Sequence, residues 1–242
     1  PHTPFVDGWH IGAICRHLEA VIAGELRQLL LLVPPRMTKS ICASICLTPW
    51  AWIKRPGLRL MVGSYSAGLS VEHAVIARRL IESVWYQSRW GAAYQITTDQ
   101  NVKAFYETTE RGYRISTSVG GTVTGRGADI LLLDDPHNLQ TIYSDAERHA
   151  TKEFYKRSWH NRLNDPERGC RVCIMQRGHP DDLAGDLMAI GYEVLELPNE
   201  FDPTRRRASS IGWPDPREAP GELLCPARFG PAETAAMIRV GR

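Results

Sequence analysis

Two short segments place charged residues where a folded chain tolerates them only with partners. The first, Pro34-Pro35-Arg36-Met37-Thr38-Lys39-Ser40, follows the apolar run Leu29 to Val33 and leads into a second apolar stretch. A loop between a buried strand and a helix turns backbone N–H groups toward an anion, and the helix N-terminus adds its dipole. Lys39 would there neutralise the β and γ phosphates of a nucleotide, and Ser40 would ligate magnesium. The second segment is Asp134-Asp135, at the end of the apolar run Ile130 to Leu133. Two carboxylates in such a place are costly without a cation, and bound magnesium would supply one. Asp134 would then hold the metal through its water shell, and Asp135 would polarise an attacking water.

Each segment also has a plainer explanation. The pattern G-x-x-x-x-G-K-[ST] lacks its glycines here, because Val33 and Thr38 occupy their positions. Lys39-Ser40 then reads as an ordinary helix start with an exposed lysine. Asp135-Pro136 reads equally as a turn that closes a strand.

The elements that must position these residues follow from the apolar spacing. Ile11 to Ala23 has helical periodicity and Gly24 is a plausible stop, so a helix precedes the strand Leu29 to Val33. Ser40 to Trp52 predicts a helix bent or interrupted at Pro49, and Leu58 to Val62 predicts a strand. Ser70 to Trp85 predicts a long helix. Lys103 to Glu107 and Gly112 to Thr117 predict two short strands around a polar turn. Ile130 to Leu133 is a buried strand, then come a helix from about Ser144 to Leu163 and a strand from Arg171 to Met175. A last helix and strand fall at Leu183 to Met188 and Tyr192 to Leu197. This alternation predicts an α/β fold, a mostly parallel sheet with helices on both faces. After Pro198 closely spaced prolines make regular structure scarce, so the expected division is a domain over 1–200 and a linker or extended edge over 201–242.

Composition bounds the rest. A hydrophobic fraction of 43% over 242 residues allows one substantial core. With 29 Lys plus Arg against 27 Asp plus Glu, the net charge is +2, so any DNA contact must come from local patches. Arg205 to Arg207, and Arg157 with His160 and Arg162, are such patches, although a solvated face explains them as well. The six cysteines sit mostly in apolar runs, which favours a reducing, intracellular compartment. Cys170 and Cys173 read as strand residues, since no second pair accompanies them to hold zinc. Leu29 to Val33, the longest apolar run, is far short of the roughly 20 residues that cross a bilayer.

Four segments in order, FVDGWHI (from Phe5), VPPRMTKS, GGTVTGRGADILLLDDPHN and MQRGHPDDLAGDL, together resemble the ATPase half of the large terminase subunit, the motor that packages DNA into tailed-phage heads. The resemblance covers most of the chain. It implies a P-loop NTPase fold of the ASCE type that binds ATP and Mg2+, with the nucleotide held along Pro35, Arg36, Met37, Thr38, Lys39 and Ser40. In that family the loop commonly reads PPR, a small residue, then KS preceded by glycine. Thr38 departs from this: either the loop adopts negative φ there, or nucleotide affinity falls. Arg36 resembles the loop arginine that senses the γ phosphate, and Arg126, between Gly125 and Gly127, resembles an arginine finger reaching a neighbouring subunit. Trp9 and His10 stand where the related proteins place groups against adenine, with core packing the alternative. Gln176-Arg177 resembles the segment that couples phosphate loss to DNA movement. His179, Asp181 and Asp182 read as helix caps rather than a metal cluster.

The same resemblance implies double-stranded DNA, a portal-docked homo-oligomeric ring and the small terminase subunit as partners. It implies the host cell cytoplasm as the location, with transient docking on the procapsid. The ending GELLCPARFGPAE resembles the junction to a nuclease domain, so nuclease activity is expected to be absent from these residues. Two other readings stay open: a helicase-like or remodelling ATPase, and a DNA-binding or scaffold module whose nucleotide site has decayed.

Overall fold

Leu29, Leu30 and Leu31 have no exposed surface at all, and so the strand that carries them can only be central, covered on both faces. A computed structural model describes residues 4–121, 125–206 and 208–234 of the chain. In it β1 (Gln28–Leu32) lies in an eight-stranded sheet of order β3-β4-β5-β2-β6-β7-β1-β8. The other strands are β2 (Arg59–Ser64), β3 (Ile96–Val102), β4 (Phe105–Thr108), β5 (Tyr113–Ser118), β6 (Ile130–Asp134), β7 (Cys170–Met175) and β8 (Glu193–Glu196). The six from β5 to β8 run parallel, and β4 and β3 extend the β5 edge as an antiparallel meander. The chain is thus α/β with a mostly parallel sheet.

Alternation along the strands sorts the core into two layers. Leu29, Leu31, Leu60, Val62, Ile130 and Leu132 face one layer, under α1 (Trp9–Ala23), α2 (Leu47–Lys54), α3 (Ala67–Glu82) and α4 (Val84–Trp90). Leu30, Leu32, Leu131 and Leu133 face the other, under α5 (Asp145–Phe154), Trp159 and α6 (Leu183–Ala189). Each such side chain contributes about 1.5–3 kcal/mol on burial. Gly63 lets Trp159 lie against β2, because a Cβ there would sit 3.0 Å from the indole. Cys170 and Cys173 fall in opposite layers, so the pair cannot share a metal.

The structure departs from the expected elements in a few places, each with a physical cause. The helix after Ser40 opens as a π-helix (Ile41–Cys46) and continues as α2 with Pro49 inside it. Proline lacks the N–H that would bond four residues back, and a widened turn just before it accommodates the missing bond. The helix expected over Ser70 to Trp85 breaks at Ser83, which caps α4 by accepting from the Tyr86 N–H. The helix expected to Leu163 ends earlier, passing through a π turn (Tyr155–Trp159) and a short 3-10 turn. Strand β3 was not expected, since its polar, largely exposed edge has no apolar alternation. Gly24 does end α1, at φ 81°.

Beyond β8 regular structure is sparse, yet Leu224 and Cys225 belong to the first core layer, and Ile211, Trp213 and Phe229 pack against it. Among the described residues, no helix is long and apolar enough to cross a membrane.

Candidate functional site

Lys39 and Ser40 meet Asp134 and Asp135 at the carboxyl ends of β1 and β6, with β7 between them. Ligands in open parallel sheets gather at such ends. The chain leaves β1 through Val33, whose N–H still donates to the Met175 carbonyl at 3.1 Å. Pro34 and Pro35 then withhold the donors that would lengthen the ladder. Two left-handed residues turn the loop, Arg36 at φ 62° and Thr38 at φ 66°, with buried Met37 between them as its anchor. Of the two alternatives for Thr38, the negative-φ one does not hold. A β-branched residue in this region is strained, by about 1–2 kcal/mol. Helical structure begins at Lys39, and the first bond of the turn runs from the Cys42 N–H to the Thr38 carbonyl at 3.1 Å. Among the described residues, nothing accepts from the N–H groups of Thr38, Lys39 and Ser40.

The buried Lys39 ammonium lies 2.7 Å from Asp135 Oδ2. Asp135 itself takes φ 44°, a conformation that aspartate accepts more readily than most residues. Its backbone is clamped on two sides: its N–H donates to the Ile174 carbonyl at 2.8 Å, and its carbonyl accepts from the Tyr65 N–H at 3.2 Å. The Gln176 N–H donates to its Oδ1 at 3.3 Å.

Asp134 is enclosed. Ser40 Oγ donates to its Oδ1 at 3.0 Å, and Ser44 Oγ donates to its Oδ2 at 2.6 Å. Burial, then the like charge of Asp135, push its carboxyl up to about 6, against the pull of Ser44, Lys39 and Ser40. His73 Nδ1 stands 3.6 Å from Oδ2, too far for a hydrogen bond. Burial and then Arg114 depress the imidazole below its ordinary range, so it is neutral near pH 7 and forms no ion pair. Ser64, in register with Asp134, has a buried hydroxyl with no partner among the described residues.

Sequence reasoning missed Ser44, His73 and Arg114. Ser44 was accessible, because it lies one helical turn beyond Ser40 and so on the same face. Arg114 gave no signal: alternation on β5 would turn Tyr113 and Ile115 inward, yet Arg114 and Ser116 are the buried pair.

Other expected residues lie elsewhere. Arg36 is exposed on the loop. Trp9 stacks on Trp213 at 5.8 Å, with the Arg217 guanidinium 5.3 Å from its ring, and His10 is buried beside it. Arg126 rests on Phe105 and Tyr113, 4.1 and 5.9 Å from the ring centroids. Tyr113 pairs with Arg59 at the amino ends of the parallel strands, so the chain's own Arg126 is held near the opposite rim from Asp134, roughly one strand length of 16 Å away. Arg177 turns from the site to bond Asp182 at 3.1 Å, and Asp182 caps α6 by accepting from the Gly185 N–H. Asp181 pairs with Lys152 and faces Arg148. Among the described residues, no three His, Cys, Asp or Glu side chains group to hold a metal. Arg205 pairs with Glu196, Arg206 donates to the Asp215 carbonyl, and Arg157 pairs with Glu153 at 2.6 Å. Arg207 lies outside the described residues.

No protein-family model matches the chain, and no curated protein matches it. Among solved structures, the large terminase of a thermophilic bacteriophage, in complex with ADP, is similar at 7% identity and a TM-score of 0.34. The likeness covers 65% of this chain, which spans only 37% of that protein. At such values it decides nothing about chemistry.

Proposed function

We propose that the chain is an ATP-hydrolysing domain of the P-loop type, working within a terminase-like motor that moves double-stranded DNA. One observation carries the ATPase reading: two segments almost a hundred residues apart bring together Lys39 with Asp135 at 2.7 Å and Ser40 with Asp134 at 3.0 Å. A serine and an aspartate together suit magnesium, and a lysine beside a second carboxylate is within reach of the same phosphates, which supports this reading. DNA movement rests on the resemblance of the four sequence segments alone. A portal-docked ring, a small terminase partner, a nuclease domain after 201–242 and a place in the host cytoplasm belong to the same proposal.

In this reading the unpartnered N–H groups of Thr38, Lys39 and Ser40 cradle phosphate oxygens at the helix start. Phosphate offers Lys39 better acceptors than Asp135, so nucleotide arrival frees the Asp135 carboxylate to take a proton from water. Because the Gln176 N–H holds that carboxylate, the change is felt at the end of β7. The oxygens of Ser40 and Asp134 suit magnesium, a hard ion that relies on few protein ligands plus phosphate and water. A buried carboxylate surrounded by hydroxyls, with its proton affinity raised, is what such a cation would relieve. When bound, the metal would neutralise charge developing on the phosphates. Arg36, exposed on the loop, would contact the γ phosphate, and Arg126 would act on a neighbouring subunit. An adenine on Trp9 would first have to displace Trp213.

The test is steady-state phosphate release from ATP and magnesium at rising protein concentration, beside Lys39→Ala and Arg126→Ala. Turnover that climbs with concentration and is lost in both variants supports the motor reading. No turnover and no nucleotide binding at any concentration would instead leave a scaffold with a decayed site.

A further inference from the structure

Arg114 has no exposed surface, and no carboxylate lies within ion-pair distance of it among the described residues. A buried guanidinium is expensive, so its contacts are the place to look for its use. Its Nη1 donates to the Ser44 carbonyl at 2.6 Å and to Thr48 Oγ1 at 2.9 Å. Ser44 is also the residue whose hydroxyl donates to Asp134 at 2.6 Å. Arg114 stands on β5 and Asp134 on β6, on either side of β2, so Ser44 bridges the two across the intervening strand. The bridge lies inside the π-helical turn, where backbone hydrogen bonding is at its least regular and an outside anchor has most effect.

We propose that Arg114 is a positioning residue for the metal-holding side of the site: it anchors the π-helical turn through Ser44 and Thr48, and so aims the Ser44 hydroxyl that orients Asp134. This rests on the ATPase reading above. Outer groups that orient a metal ligand are worth roughly 10- to 100-fold in metal affinity. Both bonds leave the one nitrogen Nη1, while Nε and Nη2 find no partner among the described residues, so a lysine ammonium has donors enough for both acceptors but aims them from a flexible stem.

The experiment measures Mn2+ binding by electron paramagnetic resonance in the presence of ADP, on the unmodified chain and on Arg114→Met, Arg114→Lys and Ser44→Ala. Thermal melting and metal-free ADP binding are followed alongside. The expected result is Mn2+ binding weakened about tenfold or more in Arg114→Met and Ser44→Ala, partly restored in Arg114→Lys, with metal-free ADP affinity unchanged. Should Arg114→Met not fold, Thr48→Val, which removes the side-chain acceptor of Arg114 and leaves the Ser44 hydroxyl in place, stands in for it. Unchanged Mn2+ binding in folded Arg114→Met, in Thr48→Val as its stand-in or in Ser44→Ala overturns the proposal while leaving the ATPase reading intact. If the unmodified chain binds neither ADP nor Mn2+ with ADP, the ATPase reading itself falls and this inference falls with it.

Discussion

Lys39 and Asp135 hold one another at 2.7 Å across the gap between β1 and β6, and each sits where its backbone was fixed by something else. Lys39 opens a helix, while Asp135 is clamped by Ile174 and Tyr65 at φ 44°. The pair therefore reports both on stability and on the chemistry proposed for the site.

Removing one partner leaves a charge without compensation in a mostly buried place. Lys39→Ala is expected to cost about 1–3 kcal/mol of stability and to abolish phosphate release. Adding Asp135→Asn should recover most of the stability and none of the turnover. Chemical denaturation of the two single variants and the double variant checks this, and additive effects would show that the pair contributes nothing.

Asp134 makes stability depend on pH. Its carboxyl is raised from 3.8 to about 6, so the folded state prefers it protonated. The penalty for ionising it is absent below the ordinary value, grows between 3.8 and about 6, and is complete above that. About two units correspond to about 3 kcal/mol at most. Asp134→Asn should thus raise the melting temperature of the metal-free chain by several degrees at about pH 8 and by little at about pH 4, while removing magnesium-dependent turnover. A gain of equal size at both pH values would mean that ionisation is not the cause.

Thr38 carries left-handed strain that glycine would not. Thr38→Gly should leave stability unchanged or raise it by about 1 kcal/mol, the relief of strain being partly offset by unfolded-chain entropy. It should also tighten nucleotide binding several-fold, since a Cβ leaves the phosphate path. Weaker binding of a fluorescent ADP analogue by Thr38→Gly would count against phosphate occupying this loop.

Arg126 sits near the opposite rim from Asp134 in its own chain, so any catalytic role needs a neighbour. Mixing Lys39→Ala with Arg126→Ala should restore part of the turnover that each lacks alone, because one interface in the mixture pairs an intact loop with an intact arginine. Mixtures as inactive as the separate variants would remove Arg126 from the chemistry.

The sequence by itself determined the parts of this protein that depend on local order. Continuous apolar runs such as Leu29 to Leu32 and Ile130 to Leu133 are buried on both faces, which makes them central parallel strands, and the connections between them are long enough for helices. Lys39-Ser40 and Asp134-Asp135 were legible because charges that close such runs need partners. What depends on three-dimensional neighbours was not legible. Arg114 is buried against its strand's apparent alternation because Ser44 and Thr48 offer acceptors on that face. Trp9 is covered because a residue far along the chain, Trp213, folds back onto it. The left-handed backbone of Thr38 and Asp135 comes from the loop's closure between strands, a constraint that no residue type announces. Composition and periodicity encode burial, whereas the pairing of polar groups and the conformation of loops are decided only when distant segments meet.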